Sequence, residues 1–318
     1  MGIESMKILI GIFSYNERDN LNNTYNDLKR QCRGLNCRIV LIDESEEHES
    51  VAIVNKIIKE DNIINICESG HRYGKVTGYN LLYKHFLENN YDILLHFDAD
   101  HILSSDAVFN LARAIYSGYD IATCLNKPLK TDNFFQRILM VMDWPATRQR
   151  EIGNFSLPLV GHNGAYNRKA VITIGNIPNG GINEEMYILY KVMNNNLSHK
   201  IVSNAISYNA LPGTLSDYIK STRRIYGKVK AFEEYIEKNG LRAETGEKML
   251  VRDMIYAKPP PKLILKSLCS DLTASLLVPY IYLIRWGIMR SAKIYDSDFW
   301  ESLETTKNLK GHDNGKWN

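Results

Sequence analysis

The sequence has few cysteines and no paired cysteine motif. Its 318 residues include five cysteines, an odd number, and no two of them are spaced as in a zinc or dithiol motif. This pattern excludes a disulfide framework and indicates reduced thiols, as expected in the cytoplasm. Prolines, of which there are 9, and glycines, of which there are 20, are too sparse for a collagen-like or low-complexity chain.

Long hydrophobic runs are also absent. The most apolar long segment, Leu263–Met289, is interrupted by Lys266, Asp271 and Arg285, and its longest uncharged stretch has 13 residues. A membrane-spanning helix needs about 20. The apolar run near the start, Ile8–Phe13, is too short for a signal peptide. We therefore expect a cytoplasmic protein without a spanning helix.

Net charge is small, at +3, but it is unevenly placed. Residues 219–293 contain 15 Lys and Arg against 7 Asp and Glu, which leaves the rest of the chain at −5. We expect no nucleic acid partner. The apolar, basic segment 262–293 is consistent with a core helix packed on the sheet, or with a helix lying in the interface of an anionic membrane. The second reading predicts a peripheral position on the inner face of the membrane.

The first half of the chain alternates short apolar runs with amphipathic stretches, which is typical of a mostly parallel α/β sheet flanked by helices. The predicted strands are Lys7–Phe13, Arg38–Asp43, Ile63–Cys67, Asp92–Phe97 and Asp120–Cys124. The predicted helices are Leu21–Cys32, Val51–Lys59, Val76–Leu87 and Asp106–Tyr116. In such sheets, ligands bind at the carboxyl ends of the strands.

The alternation weakens after residue 125. The pattern there predicts a helix over 133–150, a strand over 158–167, a helix over 183–195 and two helices over 215–257 that part near Gly240. Lys258-Pro259-Pro260-Pro261 is the strongest linker signal. We therefore expect a helical appendage at the C-terminal end.

Two carboxylates follow the fourth predicted strand, in His96-Phe97-Asp98-Ala99-Asp100. Because Asp98 and Asp100 are two positions apart in a turn, both can bend toward one point. Hard oxygen ligands of this kind suit Mg2+ or Mn2+, with a diphosphate completing the shell. Paired aspartates also cap helices, so the position after a buried strand is what favours a metal site.

Polar residues follow the first two predicted strands as well. Tyr15, Asn16 and Glu17 come after the first, and Asp43 ends the second. A carboxylate at the tip of an early α/β strand commonly accepts hydrogen bonds from a ribose. The alternatives are a helix cap for Asn16 and Glu17 and a solvated acidic run after Asp43.

The segment from Gly70 to Lys75 is similar to a P-loop but fails on spacing. Three residues separate Gly70 from Gly74 where a P-loop has four, and Val76 stands where Ser or Thr is needed. The loop still places cations at the start of a predicted helix, which favours a phosphate nearby. A loop without any ligand is the alternative.

Two further groups are uninformative in isolation. Glu184 and Glu185 open a predicted helix, where the helix dipole favours acidic residues in any case. Arg223 and Arg224 belong to a run of cations that would ordinarily form a solvated helix face.

Taken in order, these segments resemble the family 2 glycosyltransferases, whose catalytic domain has the GT-A fold, a Rossmann-like sheet flanked by helices. The resemblance covers roughly residues 7–230. The matching segments are Tyr15-Asn16-Glu17, the strand ending in Asp43, the loop with Gly74, Lys75 and Asn80, Asp98-Ala99-Asp100, the turn with Gly161, Gly164 and Arg168, Glu184-Glu185 and Arg223.

The resemblance implies a role for each matching residue. Asp98 and Asp100 would hold Mg2+ or Mn2+, Glu185 or its neighbour Glu184 would be the catalytic base, and Arg223 would neutralise the leaving diphosphate. The nucleotide sugar would be bound by Tyr15, Asn16, Glu17, Asp43, Gly74, Lys75, Asn80 and Asp98. Arg224 replaces a tryptophan of the processive members, which argues against a processive polysaccharide synthase.

The implied function is metal-dependent, inverting transfer of a sugar from a UDP- or GDP-sugar to a hydroxyl or lipid-phosphate acceptor, in glycan, glycolipid or cell-envelope synthesis. The implied catalytic domain spans 7–230, with a nucleotide-sugar half at 7–125 and an acceptor half at 126–230, followed by a helical region at 231–318. Two other classes stay open. One is a P-loop-like ATPase or kinase built on Lys75 and Asp98, and the other is a non-catalytic glycan-binding protein on the same fold.

Overall fold

The computed structural model describes residues 2–67, 72–151, 163–241 and 260–291, and its centre is one sheet of eight strands. The strands are β1 (Ile8–Ser14), β2 (Cys37–Asp43), β3 (Ile64–Asn65), β4 (Ile93–Asp98), β5 (His101–Leu103), β6 (Ile121–Pro128), β7 (Asn163–Asn167) and β8 (His199–Asn209). The helices before the C-terminal region are α1 (Asp19–Gln31), α2 (His48–Asp61), α3 (Lys75–Glu88), α4 (Ala107–Tyr116), α5 (Phe134–Glu151), α6 (Arg168–Ile174), α7 (Glu184–Asn194) and α8 (Leu215–Lys238).

The strand order in the sheet is β3-β2-β1-β4-β7-β6-β8-β5. Parallel pairs join β1 to both β2 and β4, β2 to β3, and β6 to β8. Strand β7 runs antiparallel between β4 and β6, and β5 runs antiparallel to β8. The predicted α/β fold with a mostly parallel sheet and helical flanks is therefore confirmed. Strands β5 and β8 were not predicted, and of the strand predicted over 158–167 only the second half lies within the described residues.

Strand β1 shows why a sheet with two covered faces forms here. All seven of its residues are buried. Ile8, Ile10 and Ile12 point to the face packed by α1, α2 and α4, whereas Leu9 and Phe13 point to the face packed by α3, α6 and α7. A near-continuous apolar strand is what a sheet buried on both sides requires.

Two glycines let α3 lie unusually close to the sheet. A Cβ atom on Gly11 of β1 would come within 2.6 Å of the Leu82 side chain, and one on Gly78 of α3 would come within 2.8 Å of Ile42. Because neither contact is possible for a larger residue, the close approach depends on glycine at both positions. It brings the first turn of α3 to the carboxyl edge of β1 and β4, where ligands of α/β sheets bind.

The C-terminal region contains three further helices, α9 (Pro261–Ser270), α10 (Leu272–Ser275) and α11 (Val278–Ser291). The apolar segment 263–289 is divided because Asp271 caps α10 through the backbone N–H of Ala274. The inner faces of α10 and α11 pack on α5, in a cluster that joins Leu139 and Met142 to Val278 and Ile281.

The predicted boundary at residue 230 falls inside α8, and the division into 7–230 and 231–318 stays a prediction. The second helix predicted within 215–257, and the start of the proline linker, lie outside the described residues. Within the described ranges, every helix is either too short or too polar to cross a bilayer.

Candidate active site

A cleft of about 550 Å3 opens at the carboxyl edge of the sheet. One wall consists of the segments after β1 and β4 and the start of α3. The rest of the lining comes from the first turn of α7 and from parts of α5, α8 and α11. The cleft lies where the sheet topology places a ligand site, at the ends of strands that are adjacent in the sheet but distant in sequence.

Three potential metal ligands meet directly after β4. One ligand atom from each of Asp98, Asp100 and His101 lies within 4.8 Å of the others, and His101 Nε2 is 3.6 Å from Asp100 Oδ1. The two aspartates were predicted from the sequence. His101 was not, although it directly follows the second aspartate and a histidine beside two carboxylates is a recognisable metal pattern.

The orientation of His101 is set by residues from β7 and β8. Its Nδ1 lies 2.7 Å from Ser207 Oγ and 3.0 Å from the amide nitrogen of Asn163. The Asn163 side chain also accepts a hydrogen bond from the Asp98 backbone N–H at 2.9 Å. These buried contacts fix the orientation of the His101 ring, and its other nitrogen, Nε2, is the one that lies beside Asp100.

Lys75, the first residue of α3, is buried against the metal cluster. Its Nζ lies 3.0 Å from Asp98 Oδ2. Burial acts to lower the pKa of Lys75, but the carboxylates of Asp98, Glu184 and Glu185 outweigh that effect and raise the pKa above its ordinary value. Lys75 is therefore a permanent cation at the centre of the cleft.

The other end of this wall combines an aromatic ring with charged groups. Tyr15 and Glu17 line the cleft, and the Arg72 guanidinium lies 4.0 Å from the centroid of the Tyr15 ring. Glu44 accepts a hydrogen bond from the Gly74 N–H at 2.9 Å. Burial raises the pKa of Glu44, and this hydrogen bond opposes the shift.

Three predicted site residues lie behind the cleft and are not among the residues that line it. Asn16 accepts hydrogen bonds from the N–H groups of Glu46 and Glu47. Asp43 accepts both hydrogen bonds from Ser45, and Asn80 binds both backbone groups of Ile177. In this wall the adjacent Glu44 occupies the position expected for Asp43.

Glu184 and Glu185 begin α7, whose first turn lines the cleft. The helix is capped by Asn183, whose side chain accepts from the Met186 N–H, so both glutamates sit in the first turn and line the cleft. Glu184 is 3% exposed and lies 3.7 Å from Lys228 Nζ of α8. Glu185 is less buried. The two neighbouring glutamates therefore differ in burial, and Glu185 is the more exposed of the two.

The two arginines of α8 are not placed relative to the cleft as the sequence predicted. Arg224 lines the cleft, whereas Arg223, which was predicted to act there, is exposed and is not among the lining residues. Arg285 of α11 also lines the cleft and donates through Nε to Tyr226 Oη at 3.0 Å. Sequence reasoning missed Arg285, which is 187 positions after Asp98, because no local pattern connects the two.

The cleft thus joins three chemical functions along one surface. It has a set of metal ligands at Asp98, Asp100 and His101 and a buried cation at Lys75. It also has a carboxylate at Glu185, in the first turn of α7. Cations and a divalent ion stabilise a diphosphate, and a carboxylate can accept a proton from a nucleophile.

Comparison with known proteins identifies the fold and the family. In fold, the chain is similar to the mannosyltransferase PcManGT from Pyrobaculum calidifontis, solved with GDP-Man and Mn2+, with a TM-score of 0.55 at 15% identity over 90% of this chain and 75% of that one. It is less similar to glucosyl-3-phosphoglycerate synthase from Mycobacterium tuberculosis, with a TM-score of 0.41 at 15% identity over 64% of this chain and 69% of that one. The fold assignment rests on the first of these.

No curated protein sequence matches the chain significantly. The sequence profile of glycosyl transferase family 2 matches residues 9–175, which is more than half of the chain and includes β1 to β7. The matched range contains the metal cluster and Lys75. The chain therefore belongs to glycosyltransferase family 2, as its motif order predicted.

Proposed function

We propose that the protein is a metal-dependent, inverting glycosyltransferase that moves a sugar from a UDP- or GDP-sugar to a hydroxyl or phosphate oxygen of a glycan or lipid-linked acceptor. The observation that carries the proposal is that the Asp98, Asp100 and His101 cluster lines the same cleft as Lys75 and Glu185. An inverting displacement needs a cation to stabilise the leaving diphosphate and a base for the attacking oxygen, and this cleft contains candidates for both.

Asp98, Asp100 and His101 fit a divalent cation. Two carboxylates suit Mg2+ or Mn2+, and the imidazole nitrogen favours Mn2+ of the two because Mg2+ binds oxygen almost exclusively. When bound, the ion would act as a Lewis acid toward the diphosphate. The PcManGT complex holds Mn2+ together with GDP-Man, which agrees with this choice.

The remaining roles are proposed for residues of this chain. Tyr15, Glu17 and Glu44 would contact the nucleoside, and Lys75 at the start of α3 would bind the diphosphate. Glu185 would take the proton of a hydroxyl acceptor, because it lines the cleft and is less buried than Glu184. We assign the neutralising arginine to Arg224, which lines the cleft, in preference to Arg223.

Replacing Asp100 tests the metal site. We expect UDP or GDP with Mn2+ to raise the melting temperature of the wild-type protein, and Asp100→Ala to abolish that increase and to lower donor hydrolysis by about 1,000-fold, because the charge on the leaving diphosphate loses its Lewis acid. The measurements are thermal shift and a screen of UDP- and GDP-sugars for metal-dependent hydrolysis.

Asp106→Ala is the matched control, since this exposed aspartate lies outside the cleft. A wild-type protein whose melting temperature responds to no nucleoside diphosphate would contradict the proposal. ATP turnover that survives Asp100→Ala and is lost with Lys75→Ala would favour the kinase or ATPase alternative instead.

We also propose that α9 to α11 lie on an anionic membrane surface. Nine of the sixteen exposed large hydrophobic side chains in the described residues occur between positions 264 and 286, among them Leu265, Leu276 and Leu283, which are 64–75% exposed. Residues 260–291 contain four basic side chains and one acidic side chain. An apolar surface with excess positive charge is what interfacial helices present to anionic lipids.

The measurement is co-sedimentation with vesicles of phosphatidylglycerol and phosphatidylcholine. We expect the wild-type protein to bind at low salt and the double variant Leu276→Glu, Leu283→Glu to stay in the supernatant. Ile172→Glu on α6 is the control, because that side chain is 60% exposed but lies outside the C-terminal helices. Equal sedimentation of all three proteins would refute the membrane proposal.

A further inference from the structure

Helix α1 contacts the segment that carries the proposed metal ligands. Thr24, in the middle of α1, is 6% exposed, and its hydroxyl donates to the Ala99 carbonyl at 2.9 Å and to the His101 carbonyl at 3.3 Å. Because a hydroxyl has one proton, the two carbonyls share a bifurcated hydrogen bond. Inside a helix, a threonine hydroxyl commonly bonds to the carbonyl one turn earlier, whereas this one reaches residues 75 and 77 positions later.

The two carbonyls enclose the turn that holds Asp100. Ala99 and Asp100 form the turn between β4 and β5. The Ala99 carbonyl belongs to the peptide unit before Asp100, and the His101 carbonyl belongs to the peptide unit after His101. Because a peptide unit is planar, a hydrogen bond that fixes its oxygen also restricts the backbone of the next residue. The Thr24 hydroxyl therefore restricts the backbone on both sides of Asp100 and His101.

Among the three proposed ligands, Asp100 depends most on this turn. Asp98 and His101 are held by side chains of β7 and β8, as described above. The Asp100 side chain is 38% exposed, so packing around it contributes little to its position. That position follows from the backbone of the turn, which is bound by Thr24 and by β1 through the Ala99 N–H.

A second polar side chain of α1 binds the chain just after β5. Gln31 lies two helical turns after Thr24 and on the same face of α1. It donates to the Ser104 carbonyl at 3.1 Å and accepts from the Val108 N–H at 3.1 Å. Between these two contacts, apolar side chains of α1 pack in the core cluster that also includes Ala99. Helix α1 is therefore a fixed support along β5, and it holds the Thr24 hydroxyl against the turn.

Resting on the proposed function, we infer that Thr24 is a positioning residue for the metal site. By binding both carbonyls, its hydroxyl keeps the Asp100 carboxylate and His101 Nε2 close together, 3.6 Å apart in this structure, so that one divalent cation can bind both. Outer contacts of this kind contribute about 10- to 100-fold to metal affinity. Thr24 is not among the residues that line the cleft, so its effect on the donor passes through the metal ligands.

The test measures Mn2+ binding directly, by electron paramagnetic resonance of the free ion, with the full chain in the presence of UDP or GDP. We expect Thr24→Val, which replaces the hydroxyl with a methyl group, to raise Kd for Mn2+ at least about tenfold. Thr24→Ser keeps the hydroxyl, so its Kd should stay within about threefold of the wild-type value. Thr123→Val is the matched control. It makes the same change at a buried threonine of β6 whose hydroxyl has no hydrogen-bond partner within the described part of the chain, and it should leave Kd within about twofold.

Donor hydrolysis provides the second measurement. Thr24→Val should need at least about tenfold more Mn2+ for its half-maximal rate and, at saturating Mn2+, should keep kcat and donor KM within about threefold, a split that a general loss of stability does not produce. If Thr24→Val does not fold, Thr24→Ala removes the same hydroxyl without added bulk and should show the same increase in Kd. An unchanged Kd in these variants, or an equal increase in Thr24→Ser, would overturn the inference. A wild-type protein that binds no Mn2+ with either nucleotide would refute the proposed metal site, and the inference with it.

Discussion

The sheet region around β1 buries its apolar side chains, whereas the C-terminal helices leave many of theirs exposed. All of β1 is buried, and the largest fully buried side chains, such as Tyr79, Phe86 and Phe97, lie around it. In α9 to α11 only one side of each helix packs on the protein, while leucines and aromatic residues cover the other side. A similar density of apolar residues thus completes a core in one region and leaves a surface for an external partner in the other.

Replacing one leucine in each region gives the largest expected difference, which is in the free energy of unfolding. Leu82 is fully buried between α3 and β1, and Leu82→Ala should lower the free energy of unfolding by about 2–5 kcal/mol through lost burial and a cavity. Leu276 is 75% exposed, and Leu276→Ala should change the free energy of unfolding by less than about 0.5 kcal/mol. Urea unfolding measures both changes, and a similar cost at the two sites would show that the turn after α10 packs against something in the isolated protein.

Replacing each of the two adjacent arginines of α8 tests which of them contributes to the cleft beside the C-terminal helices. Arg224 lines the cleft beside α11, and Arg224→Gln should lower kcat/KM by about 10- to 100-fold, because a cation that stabilises bound phosphate is lost. Arg223→Gln should cost at most a few-fold. Steady-state kinetics decides between them, and a larger loss at Arg223 would restore the assignment implied by the family motif.

Two glycines provide a matched pair for stability. Gly11→Ala should destabilise the protein by about 1–3 kcal/mol, because a methyl group there meets Leu82 and Ile42 at under 3 Å. Gly287 of α11 has nothing within 4 Å of the corresponding position, so Gly287→Ala should stabilise its helix by about 0.5–1 kcal/mol. Thermal unfolding should shift in opposite directions, and destabilisation by both changes would mean that α11 is more tightly packed than the contrast implies.

The smallest expected effect concerns acid stability. Burial acts to raise the pKa of Asp120, but hydrogen bonds from Asn167, Ser198 and Lys169 outweigh it and lower the pKa below its ordinary value. The stabilisation is therefore complete above about pH 4 and is lost as pH falls through the folded-state pKa. Asp120→Asn should cost about 1 kcal/mol at pH 7 and less at pH 2.5.

Asp271, in the C-terminal region, is the comparison for that effect. Its pKa is also lowered, first by the Ala274 N–H and then by Thr273 and Arg137. We expect Asp271→Asn to change the pH dependence of unfolding less than Asp120→Asn does, since Asp271 lies in an element with little buried surface. Unfolding curves at pH 2.5 and pH 7 make the comparison, and the reverse order would contradict it.

Local pattern was sufficient to predict the fold and part of the cleft. Apolar strands followed by Asp98 and Asp100, and two glutamates at the start of a helix, are signals confined to a few residues, and the structure brings these residues to one cleft. Whether a polar side chain faces the ligand or ties two loops together depends on contacts between distant segments. For that reason the sequence could not separate Asp43 from Glu44, or reveal that Asn80 binds Ile177.

His101 and Arg285 were missed for different reasons. His101 directly follows the second aspartate in the sequence, so the sequence contained enough information to propose it as a metal ligand. No local signal exists for Arg285, because its place in the cleft follows from the packing of α11 against α8. The residue-level roles of the predicted site stay predictions until the variants above are measured.

Two residues that support the proposed metal ligands come much later in the sequence than the ligands themselves. Asn163, which begins β7, and Ser207, which lies in β8, hold Asp98 and His101 in place. A nascent chain that has emerged only as far as β6 already contains every metal ligand but lacks both supports. The proposed metal site would therefore be completed late in synthesis, and we expect truncated translation products that retain the Asp98-Ala99-Asp100 motif to bind Mn2+ weakly.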